Sequence, residues 1–76
     1  MNDKRRAVLS QARLYLEKAA LLIERAADEE QDSFDNLPDS IQDGERGEKM
    51  EAAIELLEEV GDQIDGVLDK LSEASQ

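Results

Sequence analysis

Carboxylates are the only reactive side chains this sequence supplies in quantity, 20 Asp and Glu against 9 Lys and Arg over 76 residues, with no His and no Cys. Without imidazole there is no neutral-pH general base and no Glu-x-x-His iron motif of the carboxylate helical bundles. Nothing activates Ser10, Ser33, Ser40, Ser72 or Ser75, which read as cap, turn or surface residues. Without Cys there is neither thiolate chemistry nor a disulfide. Glycine-rich phosphate fingerprints are missing too. Asp39-Ser40-Ile41-Gln42-Asp43-Gly44 does place Gly at the sixth position of a calcium-type loop. Ile41 then stands third and Met50 twelfth, where oxygen ligands are needed, so the match fails. The expectation is a protein that is not an enzyme and uses no metal and no cofactor.

What the acids do instead depends on where they fall. Residues 1–27 hold six bases against three acids, net +3, and residues 28–76 hold 17 acids against Arg46, Lys49 and Lys70, net −14. At helical spacing Glu51, Glu55, Glu58, Asp62, Asp65 and Asp69 draw one stripe, with neighbours roughly 5–6 Å apart. Like-charge neighbours four apart, such as Glu51 with Glu55 and Asp65 with Asp69, each cost about 0.2–0.5 kcal/mol. A stripe of that kind either keeps the helix solvated or imitates the phosphates of a nucleic-acid strand. Direct nucleic-acid binding is excluded by the overall charge of −11. A protein partner with a basic surface is the natural expectation.

The elements that carry these acids are helices. Asn2 or Asp3 can cap a first helix, and no breaker occurs before Asn36. Val8, Ala12, Tyr15, Ala19, Leu22 and Ala26 form its packing seam, with Leu9, Leu16 and Ile23 one step round. Leu14 and Leu21 lie roughly opposite, as scattered exposed leucines or as a second contact face. In the second helix Met50, Ala53, Leu57, Val60, Ile64, Val67 and Leu71 recur at alternating steps of 3 and 4. Gly61 lies beside this seam, as a point of close helix approach or as a weak point. The predicted bounds are about 3–35 for the first helix, 36–44 for the turn and 45–73 for the second helix.

The connection is unusual for a hairpin. Pro38 disfavours helix at Leu37, and Asp43-Gly44 with Gly47 adds turn signals. Nine acids between residues 28 and 48 face only Arg46 and Lys49, so the turn end carries −7. Phe34, Asp35, Asn36, Leu37, Pro38, Asp39, Ile41, Gln42 and Arg46 gather there as a candidate partner-binding pole. The competing reading makes Phe34, Leu37 and Ile41 a plug for the end of the bundle. The segments Glu29-Glu30-Gln31, Asp35-Asn36-Leu37-Pro38, Ile41-Gln42 and Gly44-Glu45-Arg46 resemble those of small uncharacterised acidic helical-hairpin proteins encoded by phages and mobile elements of Gram-positive gut bacteria. That resemblance covers about a third of the chain and implies an origin and a fold, not an activity.

Together these features predict an all-α antiparallel two-helix hairpin, one domain over 1–76, paired as a homodimer into a four-helix bundle. An antiparallel arrangement also sets Lys4, Arg5 and Arg6 beside Asp65, Asp69 and Glu73, offsetting two unfavourable macrodipole placements. The expected function is a non-enzymatic protein-binding accessory factor, and the phage resemblance suggests an inhibitor of a host or defence protein. The alternatives are an acidic nucleic-acid mimic that blocks a basic groove, a small-ligand sponge, and a structural assembly unit. No apolar run reaches membrane-spanning length and no signal-peptide pattern opens the chain, so a cytoplasmic location is expected.

Overall fold

Uninterrupted helix-favouring sequence yields two long helices, and the Pro38 region yields the break between them. In the computed structural model, which describes residues 1–76, α1 spans Asp3–Asp35, α2 is a single turn over Asp39–Gln42, and α3 spans Glu45–Ala74. The chain is all-helical. Asn2 caps α1, its Oδ1 accepting the Arg5 N–H at 2.8 Å. No helix is long and apolar enough to cross a membrane.

α1 and α3 lie along each other as an extended pair measuring 58 × 15 × 12 Å. Arg6 donates from Nε to the Ser75 carbonyl at 3.1 Å, and Arg13 donates to the Leu68 carbonyl at 3.1 Å and to the Ser72 hydroxyl. α3 has no base in its own last turn, so α1 supplies the cations that its C-terminal carbonyls favour. Of the basic start, Lys4 and Arg5 form no ion pair, and Arg6 pairs with Asp3 on its own helix rather than with Asp65, Asp69 or Glu73.

The strip of contact is narrow. On α1 it runs through Leu9, Arg13, Leu16, Ala20, Ile23, Ala27 and Phe34, all half-buried. On α3 it runs through Gly47, Met50, Ile54, Leu57, Gly61, Ile64, Leu68 and Leu71. The expected α1 seam is thus rotated out by one residue. Val8, Tyr15, Leu22 and Ala26 stand exposed, and only Ala12 and Ala19 are half-buried. On α3, Met50, Ala53, Leu57, Ile64 and Leu71 are half-buried, whereas Val60 and Val67 are exposed and Ile54 takes the innermost place. Each apolar arc is wider than one facing helix can cover, so one edge of each is left outside. Leu14 and Leu21 are exposed on the far side of α1.

One chain therefore has almost no core. Only Gly47 and Ile54 are buried. The radius of gyration is 17.3 Å, against about 11 Å for a compact domain of this length.

Candidate functional site

The connection is built from the inside outward. Gln42 is half-buried and donates from Nε2 to the Phe34 carbonyl at 3.0 Å and the Leu37 carbonyl at 3.1 Å. It thereby adds a donor to the Phe34 carbonyl, which also accepts the Leu37 N–H at 3.0 Å, and satisfies the Leu37 carbonyl just past the end of α1. Gly47 sits directly against this turn, and a Cβ there would collide with the Gln42 backbone. Gly47 is the close-approach glycine of the fold, a role its turn-like sequence context did not announce. Phe34 and Leu37 are half-buried, while Asp35, Asn36, Pro38, Asp39, Ile41 and Arg46 are exposed. The turn residues thus divide between those that close the end of the helix pair and those that face solvent.

The acidic stripe lies elsewhere, beside an open groove of about 430 Å³ between the two long helices. Its floor is apolar and small: Ala20, Ile23 and Ala27 from α1 meet Ile54, Leu57 and Gly61 from α3. Its rim is acidic on both sides, with Glu24 and Asp28 facing Glu58, Asp62 and Asp65. Towards the turn the groove continues past Glu51 and Glu55, with Gln31 and Phe34 opposite. Asp69 continues the stripe beyond the groove, towards the C-terminal end of α3. Gly61 opens the floor rather than tightening a contact, since a Cβ there would meet nothing within 4 Å.

None of the rim acids is neutralised. The ion pairs of the chain join Arg6 with Asp3, Arg13 with Glu17, Arg25 with Glu29 and Lys49 with Glu45. All four lie within single helices and leave Glu24, Asp28 and the whole stripe unpaired. No group of three or more of these carboxylates is disposed to hold a metal ion. What the groove offers is an apolar trough between two negative banks. Lys and Arg side chains suit it chemically, since their methylene stems cover apolar floor while their charged heads reach the rim.

Sequence reasoning found the stripe but not the groove, because Glu24 and Asp28 reach it only through the packing of α1 on α3. The signal was nonetheless present one residue after several of the inner positions. Ile23 precedes Glu24, Ala27 precedes Asp28, Ile54 precedes Glu55, and Gly61 precedes Asp62. Comparison with known protein families, curated proteins and solved structures gives no match.

Proposed function

We propose that this chain is a non-enzymatic protein-binding factor whose partner presents a basic surface. Its folded unit is an antiparallel helical hairpin, and two such hairpins pair into a four-helix bundle. The groove between α1 and α3, rather than the turn, receives the partner. The observation that carries this reading is the double acidic rim over an apolar floor, with no rim carboxylate engaged by a base of the chain itself. Like charges along a helix are destabilising, so leaving them unpaired costs stability that a basic partner would return. The turn contributes less, because Gln42, Phe34 and Leu37 are committed to closing the end of the pair. By the resemblance drawn at the turn, the partner would be a host or defence protein.

A partner whose basic surface otherwise holds nucleic acid is the second reading. The unbroken exposed row of Glu51, Glu55, Glu58, Asp62, Asp65 and Asp69 favours it.

The test compares two variants as immobilised baits. Glu58→Gln with Asp62→Asn and Asp65→Asn should weaken capture of a basic protein by about tenfold or more, equivalent to about 1.4 kcal/mol. Asp35→Ala with Asp39→Ala and Arg46→Ala should capture it as the unaltered chain does. Capture that survives the groove variant and fails in the turn variant would return the site to the turn pole.

A further inference from the structure

On the side of the helix pair away from the acidic groove, apolar residues rather than acids precede several of the inner positions. Val8, Tyr15 and Leu22 precede Leu9, Leu16 and Ile23, and Val60 and Val67 precede Gly61 and Leu68. The chain's start lies beside its end, so an equal rotational step on the two helices falls on the same side of the pair. These five residues therefore form one continuous face, 37% exposed at Val60 and 66% at Tyr15. No acid occurs between Val8 and Leu22 or between Val60 and Val67 in the rows that compose it, and the first row meets Glu29 at its next heptad step.

We infer that this face is covered by a second copy of the chain, turned end for end. The inference deepens the pairing part of the function proposed above by naming the surface and the orientation. Area supports a partner of this size. The chain exposes 5823 Å², about 1,200 Å² more than the roughly 4,650 Å² typical of a monomer of its mass. A standard interface takes about 800 Å² from each partner. Charge supports a second copy and fixes its direction. Apposing these faces sends both acidic grooves outward, which lessens the repulsion of the two −11 chains across the contact. Placing the turns together would juxtapose two ends of −7, whereas the reversed arrangement sets each turn over the opposite end of the other copy, where Lys4, Arg5, Arg6 and Lys70 balance Asp3, Asp69 and Glu73. The reversed orientation also leaves both grooves open at the same time.

The experiment uses the full chain with one spin label on Ser40→Cys, an exposed site at the turn in a protein with no other cysteine. Mass in solution is measured on the same sample. The inference expects twice the 8.5 kDa chain mass and a label separation near the 58 Å length of the helix pair. A dimer with labels within about 20 Å, two layers of helices packed 8–10 Å apart, would overturn the orientation while leaving the pairing intact. A fully helical species of single-chain mass would overturn the pairing itself.

Discussion

On one broad side of the helix pair Val8, Tyr15, Leu22, Val60 and Val67 stand exposed with no acid between them in their rows. On the other, Glu24, Asp28, Glu58, Asp62 and Asp65 border an open trough. The two sides are separated by only one residue in either direction from the row that joins the helices. Leu22, Ile23 and Glu24 show it on α1; Val60, Gly61 and Asp62 show it on α3. A helix turns by about 100° per residue, so that single step decides whether a side chain joins the apolar side or the acidic rim. The comparison teaches that this chain sorts its net −11 by face as well as by region. Hydrophobic burial is the force available to one side and Coulomb attraction the force available to the other.

The strongest way to break the comparison is to place charge on the apolar side. Leu22→Asp with Val60→Asp should abolish the dimer and, because a single chain buries little beyond Ile54, take most of the melting transition with it. The matching change on the groove side, Glu58→Lys with Asp62→Lys, should leave the mass unchanged. Analytical ultracentrifugation and circular dichroism on both variants read the contrast. Equal masses for the two variants would show that the sides are not distinct in function.

A smaller effect is expected at the turn, which belongs to neither side. Gly47→Ala pushes a methyl into the Gln42 backbone and should cost about 1–3 kcal/mol by chemical denaturation. Dimer orientation should be unchanged in the population that stays folded. A neutral Gly47→Ala would mean that the turn gives way easily.

Gly61→Ala is the smallest and sharpens the groove side alone. Its methyl enters open space on the groove floor and removes a helix-interior glycine, so stability should rise by up to about 1 kcal/mol. Partner capture should fall slightly at the same time, since the methyl makes the trough shallower there. Lowered stability would show that the backbones do need to approach closely at Gly61.

The all-helical character was legible because residues 3–35 contain no Pro or Gly and Pro38 marks a break near Leu37. Which apolar row turns inward was not. Val8, Tyr15 and Leu22 form as good a heptad row as Leu9, Leu16 and Ile23, and periodicity alone does not rank adjacent rows. The helical spacing of Val8, Tyr15 and Leu22 and the regular 3–4 spacing of Val60 and Val67 pointed to the rows the structure leaves exposed. Gln42 and Gly47 were hidden for a different reason. Both act on backbone at the turn, and neither a glutamine between Ile41 and Asp43 nor a glycine two residues into a helix signals that by type. For Gly61 the sequence left close approach and weak point both open, and the structure places open space beside it. The two-sided rim of the groove needed α1 and α3 in register before Glu24 and Asp28 could be seen to face Asp62.

Tyr15 offers the most direct test, as the only tyrosine in a chain without tryptophan and a residue at the middle of the apolar side. Its fluorescence can be quenched by acrylamide over a dilution series, with chain mass followed in parallel. The account predicts that Tyr15 is shielded in the dimer and becomes accessible as dilution or Leu22→Asp with Val60→Asp separates the copies. A dimer in which Tyr15 stays as accessible as in the separated chain would contradict it.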